Sequence, residues 1–311
     1  MTTLADHLDN YLRLRRQLGY KLKVPGILLR NFVRHLHRIR AKFMTTQAAL
    51  EWAMLPANIK QRQRAVRLGV VRRFAEYLSA IDPRTEIPAQ KLLPFQYRRP
   101  TPCLYKDEEV IKLIKAVGQI DSQNPFKCAT YRTLFGLLAV TGMRVGEAIA
   151  LDFKDVSFDQ GLLTIPRAKG NKARLVPLHS STTQALKLYT EARRKCFPPL
   201  PSSSFFVSER GTRLYYSTVN RWFLITSRRI GLRNPGADHG IRLHDLRHRF
   251  AIQTLLNWYR TDVDVGVHLP ELATYLGHVH VNDTYWYLSA TPELLQLATL
   301  RWQRAEGGRL K

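Results

Sequence analysis

Five prolines between Ile81 and Pro102 (Pro83, Pro88, Pro94, Pro100 and Pro102) decide how this chain is organised. Each removes a backbone donor and restrains the residue before it, so neither a long helix nor a central strand can run through the stretch. It reads as a linker. It divides the 311 residues into a first domain over 1–98 and a second over 99–311, a division that suits a chain of this length.

Ahead of the prolines the apolar residues recur every three or four positions. Leu4, Leu8, Tyr11, Leu14 and Leu18 form one amphipathic pattern, which Gly19 ends. Leu28, Phe32, Leu36 and Ile39 form a second over about 27–39, and a third runs from Thr46 to Met54 before Pro56. A fourth, 61–79, carries Val66, Val70, Phe74, Tyr77 and Leu78. These periods predict an all-helical first domain.

Charge narrows the partner. The chain has 49 Lys+Arg against 24 Asp+Glu, a net +25, of which +14 lies in residues 1–100 and +11 in the remainder. An excess of that size in both domains points to a polyanion, and nucleic acid is the usual one. Arg62, Arg64, Arg67, Arg72 and Arg73 lie along the fourth helix with no acidic residue before Glu76, and the linker adds Arg98 and Arg99. They are expected to contact phosphate, with a solvated helix face as the bland alternative. The three cysteines form no CxxC pair and fit a reducing cytosol. No apolar signal core opens the sequence, and runs such as Leu134–Val140 fall far short of the roughly 20 residues a membrane span needs. A soluble, intracellular protein is expected. The His-x-His pairs at His35/His37 and His278/His280 have no carboxylate cluster beside them, so no metal site is expected.

The second domain begins with a helical pattern at 107–117 and an apolar one near 131–141. Leu162–Ile165 and Leu175–Val176 are β-rich, and Lys169-Gly170-Asn171-Lys172 between them suits the tip of a hairpin. Helices are expected near 180–195, 217–230, 244–258 and 269–276. Thr291-Pro292 opens another, with Thr as cap and Pro at its first position. The fold class is therefore mainly α with a small antiparallel sheet (α+β).

Three clusters in this domain suit phosphate chemistry. Arg144 follows Thr141-Gly142-Met143, where the glycine ends the apolar helix and Arg144 begins the next; an ion pair with Glu147 is the structural alternative. His244 and Arg247 are three apart and share a helix face. An imidazole that trades protons beside guanidinium donors fits an oxyanion. His278 and Tyr287 are nine apart, opposite one another on an unbroken helix, so they converge only if the helix breaks. Asn282-Asp283 is the expected break. Tyr285, Trp286 and Tyr287 could otherwise be a packed aromatic cluster.

Taken in order, Thr-Gly-Met-Arg144-Val-Gly-Glu, Lys169-Gly-Asn-Lys, His244-Asp-Leu-Arg247-His and Leu-Gly-His278 with Tyr287 nine residues on resemble the tyrosine recombinase (phage integrase) family. The first domain resembles that family's core-binding domain less specifically. The resemblance implies a site-specific DNA recombinase in which Tyr287 attacks a DNA phosphate, giving a 3′-phosphotyrosyl link and a free 5′-hydroxyl. It further implies that Arg144 and Arg247 hold the non-bridging oxygens and that His244 hydrogen-bonds the phosphate and assists proton transfer. Lys169 would protonate the leaving 5′-oxygen, with Lys172 a competing or DNA-contacting lysine, and His278 would help position phosphate and tyrosine. No cofactor is implied. Double-stranded DNA sites, a homotetramer in the synaptic complex and a bacterial cytoplasmic, nucleoid-associated setting are. A type IB topoisomerase-like enzyme and a non-catalytic DNA-binding factor are the competing readings.

Overall fold

In a computed structural model of the chain, the described residues are 3–55, 57–93, 103–121, 123–166, 173–197, 202–234, 240–261 and 263–307. The chain divides into two compact units, Met1–Pro100 and Thr101–Lys311.

Among its described residues the first unit holds four helices, α1 Leu4–Gln17, α2 Lys23–Arg38, α3 Thr46–Met54 and α4 Gln61–Leu78. Thr3 caps α1 by accepting from the Asp6 N–H at 3.3 Å, while Asp6 accepts from the Thr3 N–H at 2.8 Å. This reciprocal pair satisfies two of the donors a helix start leaves open. α2 starts four residues earlier than its apolar spacing suggests, at a turn closed by Leu22 in a left-handed conformation (φ 40°). Its inward stripe is Leu29, Phe32, Val33 and Leu36, and Ile27 is exposed. α4 likewise turns Val66 outward and buries Leu68, Val71, Phe74, Ala75 and Leu78.

The second unit opens with α5 Asp107–Val117, α6 Pro125–Thr141 and α7 Val145–Ala150. A three-stranded antiparallel sheet follows in the order β1 Val156–Ser157, β2 Leu162–Ile165, β3 Arg174–Pro177. Its register pairs Val156 with Leu163, Leu163 with Val176 and Ile165 with Arg174. The β2–β3 hairpin is the expected one; β1 is too short to announce itself by periodicity. Then come α8 Ser180–Cys196, α9 Tyr216–Arg229, α10 Asp245–Arg260, α11 Val265–Leu276, the single turn α12 Asn282–Tyr285, a 3₁₀ turn Trp286–Ser289 and α13 Pro292–Gly307. The protein is thus mainly helical with one small antiparallel sheet. Among the described residues no helix is long and apolar enough to cross a membrane.

Two cores organise this unit. The larger joins α5–α9 to the sheet through Leu134, Phe135, Leu163, Phe205, Phe206 and Phe223. The smaller joins α10, α11 and α13 through Leu255, Leu269, Leu276 and Leu294, and Tyr287 belongs to it. The Thr291 hydroxyl caps α13, accepting from the Leu294 N–H at 3.2 Å. Arg301 donates to the Val263 carbonyl at 2.6 Å, so α13 lies on its own domain. At the other end of α10, Arg249 forms an ion pair with Asp107, the first residue of α5.

Candidate active site

The site grows from two helix ends. α6 stops at Gly142 (φ 59°) and α11 at Gly277 (φ 67°), both left-handed. Such a cap turns the chain sharply and leaves the last helical carbonyls in need of donors. A side chain is barred at each on contact as well: a Cβ on Gly142 would stand 2.5 Å from Phe250 Cδ1, and one on Gly277 2.7 Å from Arg174 Nη1.

Three arginines take up the waiting carbonyls. Arg247 Nη1 donates to Gly142 O at 2.9 Å and its Nη2 to Leu276 O at 2.6 Å. Arg144 Nη2 donates to Gly277 O at 3.0 Å and its Nη1 to Glu147 Oε1 at 2.8 Å. Arg174 Nε donates to Tyr275 O at 2.8 Å, and its Nη1 and Nη2 donate to the two Glu147 oxygens at 3.1 and 2.7 Å. Glu147 also accepts from the Arg144 backbone N–H at 2.9 Å, which fixes the start of α7. Each guanidinium therefore rests on a helix C-terminus, where the dipole favours a cation, and two of them share one carboxylate.

Charge is unbalanced here, with three guanidiniums facing one carboxylate. Burial alone would raise the Glu147 carboxyl, but the hydrogen bonds from Arg174 and Arg144 outweigh it and hold the pKa at about 2. Arg247 is 2% exposed. Burial, and then the neighbouring charge of Arg144, bring its pKa down to about 10, still protonated at neutral pH. His244 keeps an open face to solvent, yet burial of the rest of the ring and then the Arg247 charge pull its pKa to about 4, so it is neutral at pH 7. A cationic cluster held together at such cost is relieved by an anion.

Tyr287 lies on the 3₁₀ turn and is 1% exposed, whereas Tyr285 is 51% exposed. Its hydroxyl oxygen is 2.9 Å from His248 Nδ1. His278 stacks nearly parallel to the Tyr287 ring, at 17° and 6.3 Å between centroids, and its Nδ1 lies 2.7 Å from the Thr284 hydroxyl. The helix is interrupted between His278 and Tyr287 as expected, but just ahead of Asn282-Asp283: α11 ends at Gly277, residues 278–281 are not helical, and α12 restarts at Asn282. Asn282 lies inside α12, and Val281 occupies the cap position without a side-chain bond.

Of the expected site residues, Arg144, His244, Arg247, His278 and Tyr287 come together; Lys169 and Lys172 lie outside the described residues, as do Arg98 and Arg99. The α4 arginines part company. Arg64 donates to Ala57 O at 3.1 Å, Arg67 to Trp52 O at 2.7 Å, and Arg72 pairs with Glu76 at 3.8 Å. Arg62 and Arg73 are the exposed pair, and eleven residues put them within about 20° on a helix. Sequence reading passed over Arg174 and His248. Both had a signal: Arg174 follows the Lys-Gly-Asn-Lys hairpin closely, and His248 stands one turn after His244 on α10, hence on the same face.

Comparison with known proteins follows the same outline. The model of the phage integrase family matches residues 105–293. The integrase/recombinase y4rB of Sinorhizobium fredii is 43% identical over 309 residues, covering 98% of each chain. Tyrosine recombinase XerD of Neisseria meningitidis serogroup A is 27% identical over 290 residues, covering 93% of this chain and 89% of its own. Among solved structures, XerH site-specific recombinase bound to palindromic difH substrate in a post-cleavage complex shares the fold at TM-score 0.65 and 20% identity, covering 90% of this chain and 78% of that one.

Proposed function

The chain belongs to the phage integrase family and is a site-specific DNA recombinase, and we propose that it cuts and rejoins DNA through a phosphotyrosine on Tyr287. The observation that carries this assignment is the corner at Leu276–Gly277. Its two carbonyls hold Arg247 and Arg144, and the chain leaving it carries His278 and then Tyr287. A phosphate drawn to the two guanidiniums is thereby brought to the phenol by the same short segment.

In this mechanism Tyr287 Oη attacks the phosphorus, and the bond to the 5′-oxygen breaks. Arg144 and Arg247 neutralise the charge that grows on the non-bridging oxygens, and because their forks are fixed beforehand they cost no rearrangement as it develops. Each bonded Nη of Arg247 carries a second hydrogen for this purpose. His244, neutral at pH 7, hydrogen-bonds the phosphate, and His278 aligns the phenol. Lys169 protonates the departing 5′-oxygen. The ester on tyrosine conserves the energy of the broken bond, so a second 5′-hydroxyl can reverse the step on a new strand. The working form is a homotetramer on two double-stranded sites, in the bacterial cytoplasm at the nucleoid; the outward Leu295 and Trp302 of α13, seven residues apart and so on one side of the helix, offer an apolar contact for such assembly.

The test is a denaturing gel of the protein incubated with nicked duplexes made from DNA flanking its gene. Wild type and Tyr285→Phe are expected to give a covalent protein–DNA band, and Tyr287→Phe none. A band lost in Tyr285→Phe alone would reassign the nucleophile. Relaxation of supercoiled DNA without site preference would favour topoisomerase action instead.

A further inference from the structure

A phenol with a pKa near 10 is a poor nucleophile at neutral pH until something takes its proton. The acceptor must lie within hydrogen-bond reach, about 2.6–3.2 Å, of that proton. His248 Nδ1 meets this condition at 2.9 Å from Tyr287 Oη, in a buried contact. The nearby histidines are placed for other work. His278 lies parallel to the phenol ring with its Nδ1 at Thr284, and His244 stands on the exposed side of the site, neutral and reluctant to accept a proton.

The setting of His248 is fixed from several sides. It is one turn after His244 on α10, and the two rings meet edge to face at 4.7 Å between centroids. Trp286 packs against it at 5.6 Å, and Tyr287 at 5.6 Å. α10 therefore presents Arg247 and His244 toward the phosphate and the very next residue after Arg247 toward the nucleophile. For Nδ1 to accept, the neutral ring carries its hydrogen on Nε2.

We propose that His248 is a catalytic base that removes the Tyr287 proton as the phosphotyrosyl bond forms. This rests on Tyr287 being the nucleophile. The Oη–H bond breaks and the proton moves to His248 Nδ1; the Oη–P bond forms; the P–O5′ bond breaks and the leaving oxygen takes its proton from Lys169. In resealing, the incoming 5′-hydroxyl gives its proton up to Lys169 and His248 returns the other to the departing phenol, so a full cycle consumes no proton.

The test measures single-turnover cleavage by the full chain, using His248→Asn. Asparagine keeps an acceptor near the place of Nδ1 and removes its basicity. Cleavage is expected to fall about 10²–10³-fold with DNA affinity unchanged. Replacing Tyr287 by a ring-fluorinated tyrosine, whose phenol is more acidic, should recover most of that loss while changing the wild type little. A second variant, His248→Ala, should regain cleavage when imidazole is added. Two results would overturn the proposal: His248→Asn cleaving within about threefold of wild type or faster, or a loss that neither fluorination nor imidazole relieves, which would make His248 a structural neighbour. Tyr287→Phe separates the two readings. A covalent band that persists in that variant removes the nucleophile and the base together, whereas a band lost there and undiminished in His248→Asn removes the base alone.

Discussion

Both units are rich in arginine, but they hold it in different ways. On α4 the side chains spread around a helix. Arg64, Arg67 and Arg72 meet a loop carbonyl, a tryptophan and a glutamate of their own unit, and Arg73 is exposed. In the second unit Arg144, Arg174 and Arg247 each bind backbone carbonyls at a helix end, and two of them close on Glu147. An exposed arginine contributes a charge that salt screens and that lysine could replace. An arginine pinned through its fork contributes a direction as well, which lysine cannot reproduce.

The sharpest way to break that comparison is to change the fork and keep the charge. Arg247→Lys should slow single-turnover cleavage by about 10²–10³-fold, the size expected for losing one preorganised transition-state donor. Affinity for unspecific duplex, set by many phosphate contacts, should move by less than about threefold. Arg73→Lys should leave both unchanged. Equal effects of the two substitutions would mean that Arg247 acts as a mere charge.

Next in size is the carboxylate that binds the frame together. Glu147 has its folded pKa at about 2, well under its value in an open chain. Its contribution to stability is therefore complete above the unfolded pKa and is lost as the pH falls toward 2. At 1.36 kcal/mol per unit this amounts to at most about 3 kcal/mol. Urea unfolding at pH 7, 5, 4 and 3 should show the second unit weakening through that range, and Glu147→Gln should start lower and respond less to acid. Its cleavage should fall with it, because Arg144 loses the partner of its Nη1. An unchanged acid response in the glutamine variant would show that the pair adds nothing net.

Much of this was legible from residue type and spacing, for reasons particular residues make plain. Tyr287, Arg247, His244 and Arg144 are chemically distinctive and sit in short motifs, so their meeting could be expected before any fold was known. Helix positions followed from apolar period, although α2 begins four residues before its apolar spacing suggested, after a left-handed turn at Leu22 that no propensity announces. The break before Tyr287 was expected at Asn282-Asp283 and falls just ahead of them, over 278–281. Arg174 and His248 went unnoticed because their importance lies in partners more than 25 residues away, Glu147 at a separation of 27 and Tyr287 at 39. On α4, composition suggested one basic stripe, and only the packing of α3 beside it shows that Arg67 faces inward.

That last division supplies the smallest and most discriminating measurement. The Arg67 guanidinium lies 3.8 Å over the Trp52 ring and its Nη2 donates to the Trp52 carbonyl at 2.7 Å, while burial lowers its pKa. Arg67→Ala should therefore cost about 1–2 kcal/mol of stability through the lost charged hydrogen bond and ring contact. It should leave the slope of DNA affinity against salt as it is. Arg73→Ala, exposed on α4, should stay within about 0.5 kcal/mol in stability, and should reduce that slope by about one if it meets a phosphate. Urea unfolding and affinity at several salt concentrations read both quantities on the same two variants. If Arg67→Ala flattened the salt dependence and Arg73→Ala did not, the inward arginine would be the one that reaches DNA. The first unit would then hold its working arginine as the second does, against a fixed internal partner.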